Sequence, residues 1–442
     1  MTEKMKPSGI AWIGDIPHDW NIKRVKYLAS LKGRIGWQGL TSDEYIDEGP
    51  YLITGIDFQN GGIDWSNCVH ISEERWAEAP EIHIKNGDLL ITKDGTVGKV
   101  AIVSGLEGKA SLNSGVLLIR TESGFDKRFL FWVLQSEEFW TWFRLKNAGN
   151  STIIHLYQGD FAEFSYTFPD AAEQQAIADF LDAQCAKIDS VIADIEKQIE
   201  TLQKYKKSLI TEAVTKGLDR SVPMKDSGIE WIGEIPCHWG TNRLRYVASV
   251  KTGPFGTQLS ADEYVDEGVP IINVKNIGYG SILAEDLDFV PETVADRLSV
   301  HRLKIDDIVF GRKGAVDKHA IITDEYVDWV QGSDCIRVRS NSEIDSGYLN
   351  YLFDSTYFGS YVMLYAVGST MPSMSSDILL NARILVPPVH EQSEIAAYLN
   401  CQCGKIDAII NNKQAQLDTI RQHKKSLIYE YVTGKKRVTE VN

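Results

Sequence analysis

Three stretches in each half of the chain set hydrogen-bonding and cationic side chains beside glycines. The first is Lys32-Gly33-Arg34-Ile35-Gly36-Trp37-Gln38, answered by Lys251-Thr252-Gly253-Pro254-Phe255-Gly256-Thr257-Gln258. The second is Lys93-Asp94-Gly95-Thr96-Val97-Gly98-Lys99, answered by Arg312-Lys313-Gly314-Ala315-Val316-Asp317-Lys318. The third runs from Gly149-Asn150-Ser151-Thr152 to His155, answered by Gly368-Ser369-Thr370 to Ser373. Glycine lets a backbone approach a ligand closely. Cations, hydroxyls and amides are the groups that hold phosphates and read base edges. The candidate contacts in the first half are Lys32, Arg34, Trp37, Gln38, Lys93, Thr96, Lys99, Asn150, Ser151, Thr152 and His155. In the second half they are Lys251, Phe255, Thr257, Gln258, Arg312, Lys313, Lys318, Ser369, Thr370 and Ser373. The plainer reading of each stretch is a solvent-facing turn with incidental charge. Trp37 and Phe255 would equally serve as loop anchors, and Trp12, Trp20, Trp231 and Trp239 read as packing residues.

Bond-making chemistry finds less support. An adenine methyltransferase needs an Asn/Asp-Pro-Pro-aromatic run beside its flipped base, and the sequence has none. Gly95-Thr96-Val97-Gly98-Lys99-Val100 has the wrong spacing for a phosphate-binding loop of the G-x-x-x-x-G-K-[ST] kind. Asp88 with Glu107-Gly108-Lys109 loosely fits a nuclease pattern, but the second half does not repeat Glu107 and Lys109. His390-Glu391 opens like a zinc-protease helix, yet Glu394 stands where the second histidine is required.

The candidate loops sit inside a duplication. Residues 5–33, MKPSGIAWIGDIPHDWNIKRVKYLASLKG, return at 224–252 as MKDSGIEWIGEIPCHWGTNRLRYVASVKT, an offset of 219. Asp43-Glu44-Tyr45 matches Asp262-Glu263-Tyr264, Asp88 matches Asp307, and Lys99 matches Lys318. Near each end Glu173-Gln174-Gln175 matches Glu391-Gln392-Ser393, and Lys187-Ile188-Asp189 matches Lys405-Ile406-Asp407. Lys206-Lys207-Ser208-Leu209-Ile210 returns as Lys424-Lys425-Ser426-Leu427-Ile428. The middles, 34–168 and 253–386, have diverged; their glycines, aromatics and short β-branched runs predict strands and loops with a few helices.

Residues 171–215 hold neither proline nor glycine. Seam residues recur there at 181, 188, 192, 195, 199, 202, 206, 209 and 213, the spacing of a coiled coil. The second copy runs through 399, 406, 410, 413, 417, 420, 424, 427 and 431, with Lys206 and Lys424 at matching seam positions. Asp170 and Glu173 resemble a capping box, and Gly217 and Gly434 end the helices. Forty-odd residues predict a rod of roughly 60–70 Å. The two helices are expected to bury their seams against each other.

The chain has 442 residues and a formal net charge of −15. That length predicts two or more domains. The charge opposes simple binding to duplex DNA, so any phosphate contacts must be local, with further positive charge coming from a partner. Residues 171–217 carry eight acidic and six basic side chains, and 386–437 five and eight, so the acidic excess lies in the middles or their flanks. No apolar run is long enough to span a membrane, the start lacks a signal core, and six scattered cysteines read as reduced thiols, so a cytoplasmic protein is expected.

The duplicated SGIxWIGxIPxxW opening, the E-Q-x helix start after a proline, the K-I-D and the K-K-S-L-I together resemble the specificity subunit of type I restriction-modification systems, along nearly the whole chain. The resemblance implies an α+β fold: two similar target-recognition domains of mixed strands and short helices, at 1–170 and 219–386. Two long helices at 171–218 and 387–434 would form an antiparallel coiled coil with pseudo-two-fold symmetry, followed by a tail at 435–442. Each domain would read half of an asymmetric, bipartite double-stranded DNA target, and the helices would set the gap. Two modification subunits would dock and methylate adenine with S-adenosylmethionine, and restriction subunits driven by ATP with Mg can join. The chain itself would bind no cofactor and perform no catalysis. Family members often carry a Gln-Pro-Asn-like run in the third loop, where this chain has Ile153-Ile154-His155 and Met371-Pro372-Ser373. The alternative expectation is a coiled-coil adaptor without DNA.

Overall fold

The computed structural model describes residues 4–34, 39–148, 154–229, 231–314, 316–366, 368 and 372–438, without the side chain of Thr257. The chain folds as two compact units, Met1–Ile195 with Ala415–Asn442, and Glu196–Gln414.

The centre of the first unit is a four-stranded antiparallel sheet in the order Val100–Ile102, Leu89–Thr92, Val116–Thr121, Ala29–Gly33. Side chains on a strand point alternately to opposite faces, and the apolar runs here are buried on both. Leu89, Ile91, Leu117 and Ile119 join a large core with Trp20, Phe129, Phe139, Phe161 and Phe164. Leu90, Ala101, Val116 and Leu118 face a second core with Ile53, Phe58 and Ile82. The helices Lys127–Gln135 and Glu137–Lys146 supply most of the aromatic core residues.

The second unit repeats the plan: Ala248–Thr252, Cys335–Ser340, Ile308–Gly311 and His319–Ile321 form the sheet in the corresponding order. Ile308, Phe310, Ile336 and Val338 face one core, and Val309, Ala320 and Cys335 another. A duplicated buried pair ties each sheet together. Arg120 donates to both oxygens of Asp88 at 2.9 and 2.7 Å, and Arg339 to both oxygens of Asp307 at 2.6 Å. In each pair the bond to the aspartate holds the guanidinium pKa up.

The long helices run over Ala171–Lys216 and Val389–Val432. Each unit holds a paired, antiparallel portion of both. In the first unit the Phe180 and Tyr431 rings meet with centres 4.5 Å apart, while Asp189 meets Lys424 further along. In the second, Lys206 meets Asp407. All eighteen expected seam positions are buried or half-buried. Asp170 caps the first long helix through the Glu173 amide at 2.9 Å, and Gly217 and Gly434 end the helices at φ of 74° and 69°, where glycine meets no steric penalty. The glutamine of each E-Q-x run is buried at a helix start. Gln174 donates to Pro169 O and accepts from the Asp126 amide, and Gln392 does the same with Pro387 O and the Asp345 amide. Beyond the second helix, Lys435 donates to the carbonyl of Ile13 at 2.8 Å and Arg437 pairs with Asp19, both within the first unit.

Among the described residues no helix is long and apolar enough to cross a membrane, and all six cysteines are free, with Cys237 and Cys401 exposed.

Candidate nucleic-acid interface

Strand register decides where the candidate loops emerge. Gly33 is paired with Leu117 and Thr92 with Val116, so the loop after Gly33 and the loop after Thr92 leave the same end of the first sheet. The third stretch reaches that end too, since Leu156 donates its amide to Lys93 O at 2.9 Å. The second unit repeats the arrangement. Thr252 is paired with Ile336 and Gly311 with Cys335, and Lys313 bridges to Ser373. The described residues of three stretches far apart in the chain therefore converge on one sheet end in each unit.

In the first unit Lys93, Thr96, Lys99 and His155 share this surface. His155 is hydrogen-bonded to Asp94. Lys99 Nζ donates to Gly55 O at 3.3 Å, which brings the 54–57 loop alongside. Gly98 has a φ of 84°, and a Cβ there would stand 2.4 Å from the Trp140 ring, so glycine is required for the loop to close on that tryptophan. In the second unit the guanidinium of Arg312 lies 4.8 Å from the centre of the Phe255 ring, a cation–π contact. Lys313 pairs with Asp334 at 3.3 Å. Gln258 is exposed, but its side-chain oxygen accepts from the Phe255 amide of its own turn. Gly253 packs so tightly on the Gly332 carbonyl that a Cβ would meet it at 1.8 Å.

The cations of the first loop pair differ in exposure, and Arg34 is turned inward. Arg34 is 4% exposed, and its guanidinium donates to Leu112 O at 2.7 Å and Ser111 Oγ at 3.0 Å. It braces two chain segments inside the unit and is not presented to a ligand; burial lowers its pKa. Lys32 is exposed but lies on the strand opposite Leu118. Lys251 is half-buried on its strand, close enough to His301 that, with burial first and Arg337 besides, the histidine pKa falls to about 4. Trp37, Gln38, Asn150, Ser151, Thr152, Ser369, Thr370 and the Thr257 side chain lie outside the described residues.

Of the four tryptophans expected to pack, Trp20 and Trp239 are buried and Trp12 is partly so, but Trp231 is 44% exposed. It lines a cleft of about 500 Å³ with Arg243, Tyr357, Tyr361 and Arg383, so its neighbours are partly charged and do not form an enclosing apolar core. The nuclease-like trio dissolves: Asp88 is bound by Arg120 and Lys109 pairs with Glu73. Glu391 accepts from Trp239 at 2.9 Å and meets His238 at 2.6 Å. Among the described residues no cluster of three or more His, Cys, Asp or Glu is arranged to hold a metal.

The sequence reading missed one feature of this surface. The hairpin Phe58–Gln59 with Gly62–Ile63 carries its tip, Asn60-Gly61, to a cleft of about 400 Å³ shared with Lys99, Gln135 and Trp140. Its second-unit counterpart places Tyr279 against Asp317 and Lys318. Asn-Gly is a strong turn signal that was available in the sequence; Tyr279-Gly280 carries no such signal.

The chain is 28% identical over 439 residues to the type I restriction enzyme MjaVIII specificity subunit of Methanocaldococcus jannaschii, covering 97% of this chain and 95% of that one. It is 22% identical over 423 residues to the type I restriction enzyme EcoKI specificity subunit of Escherichia coli, covering 92% and 88%. Its fold is similar to a chain in a solved structure concerned with complex assembly and conformational transition of the type I R-M system, with a TM-score of 0.65 at 15% identity, covering 95% and 99%. The family model described as type I restriction modification DNA specificity domain matches twice, over residues 17–201 and 236–419. Those two stretches take in most of the chain, which therefore belongs to the family of type I restriction modification DNA specificity domains.

Proposed function

We propose that the chain is the DNA-specificity subunit of a type I restriction-modification complex. The observation that carries this reading is that the described residues of three glycine-bearing stretches meet at the same end of the central sheet in each unit. Lys93 and Lys99 in one unit, and Arg312, Lys313 and Lys318 in the other, supply phosphate contacts, and neighbouring polar groups supply base contacts. Two units with diverged loops select two different half-sites of one bipartite target. A chain of net charge −15 needs its basic loops concentrated and the rest of a positive clamp supplied by partners. Two methyltransferase subunits fill that role, joined by ATP-dependent restriction subunits, and S-adenosylmethionine, ATP and Mg belong to them. The adaptor without DNA is not favoured, since both halves match a DNA specificity domain.

The test is to co-express the chain with the modification subunit encoded beside it and to map N6-methyladenine across the host genome by single-molecule sequencing. The expected result is one asymmetric bipartite motif, methylated on both strands and lost without this chain. An active methyltransferase that shows no such motif would overturn the proposal.

A further inference from the structure

We infer that the tip of the hairpin beside the second loop is a base-contacting element in each unit, with Asn60 and Tyr279 as specificity-determining residues. This rests on the DNA-specificity reading above and names side chains that reading did not contain.

The first ground is placement. Gly61 O accepts from the Ile102 amide at 2.9 Å, and Gly280 donates its amide to His319 O at 2.8 Å. In both units the tip is thus fastened to the strand that follows the second loop. Asn60 borders the same cleft as Lys99, and the Lys318 ammonium lies 5.5 Å from the centre of the Tyr279 ring. Each tip stands next to a loop lysine suited to a phosphate.

The second ground is exposure. Asn60 and Gly61 have φ of 50° and 76°, the paired positive angles of a tight hairpin turn, and the Asn60 side chain is exposed. Tyr279 is 68% exposed. Its hydroxyl donates to Asp317 Oδ2 at 3.1 Å, so the ring is held outward in a fixed direction. Nothing about folding requires a large aromatic ring in water at that point.

The third ground is the pattern of what the duplication keeps. Gly61 and Gly280 correspond, as do Lys99 and Lys318, whereas Asn60 and Tyr279 differ. The backbone and the cation are retained while the group facing outward changes, as selection of two different half-sites requires. An asparagine amide offers the adjacent donor and acceptor that match adenine in the major groove. The tyrosine offers an aromatic surface for a thymine methyl.

The experiment uses the full chain with its modification subunit and the same genome-wide methylation map. Asn60→Asp removes the donor and leaves acceptors suited to cytosine. It should shift base preference at one position of one half-site by about 10-fold or more and leave the other half unchanged. Tyr279→Ala should relax one position in the opposite half. Unchanged preference at every position in both variants overturns the inference. A wild-type complex with no motif fails the specificity reading instead. A variant that methylates nothing is replaced by Asn60→Gly or Tyr279→Asn, which suit a turn and remove the outward-facing group, in selection from a randomised duplex library. An altered selected sequence supports the inference and an unaltered one overturns it.

Discussion

Lys206 Nζ lies 2.7 Å from each carboxylate oxygen of Asp407, and Lys424 meets Asp189 at 2.6 and 2.7 Å in the other unit. The aspartate of each K-I-D run is therefore the partner of a K-K-S-L-I lysine, which explains why both runs recur together. The Lys206–Asp407 side chains remain 29% and 48% exposed, so the pair contributes about 0.5–1 kcal/mol and serves mainly to fix register on a seam that is apolar but for Lys206, Lys413 and Lys424. Lys206→Asp should destabilise the protein, and adding Asp407→Lys should restore most of the loss in urea unfolding. A double-mutant cycle with no coupling would remove the pair from the account.

Arg34 is a structural cation. Its guanidinium is spent on Leu112 O and Ser111 Oγ inside the first unit. Arg34→Ala strips buried acceptors of a charged donor and should cost about 2–4 kcal/mol. At temperatures where the variant is folded, the salt dependence of DNA binding should match wild type. A shallower salt slope without loss of stability would return Arg34 to the interface.

The seam was legible in the sequence because burial follows helical periodicity, and every position it named is withdrawn from solvent. The turns at the sheet end were legible because glycine clusters punctuate strands. Arg34 was not, since a guanidinium at the third place of a glycine-rich run gives no sign of turning inward to Leu112 O. Gln174 and Gln392 were visible as repeated letters, but their work on the amides of Asp126 and Asp345 depends on contacts nearly fifty residues away. The Tyr279 tip was hidden for the same reason: its contact with Asp317 is tertiary.

The loop lysines predict a graded electrostatic response. Lys93, Lys99 and Lys318 stand on the converging loops, and Lys313 is only loosely engaged by Asp334, with side chains 51% and 47% exposed. Replacing any one by alanine should reduce the slope of log affinity against log salt by about 1 and weaken all sequences alike. Asp334→Asn should raise affinity, because it frees Lys313 and removes a negative charge. Fluorescence anisotropy on the complex with its modification subunit, over a salt series, measures both. Slopes unchanged by all four substitutions would place the phosphate contacts elsewhere.

Glu138 predicts a pH dependence with a definite sign. It is fully buried and makes no well-formed hydrogen bond. Burial pushes its carboxyl well above the usual range, only partly offset by the Thr167 amide. The folded state thus favours the protonated acid, whereas the unfolded chain ionises near the ordinary value of about 4.3. Its contribution is fully present below that unfolded value and is lost as pH rises from there through the raised folded value, because the unfolded state releases its proton first. Glu138→Gln keeps the shape and cannot ionise. As pH rises above the ordinary carboxylate range, wild type should lose stability more steeply than the variant, by up to about 1.4 kcal/mol per pH unit until the folded-state carboxyl ionises. Denaturant unfolding of both proteins at each pH measures this, and parallel stability curves would mean that Glu138 is ionised in the folded protein.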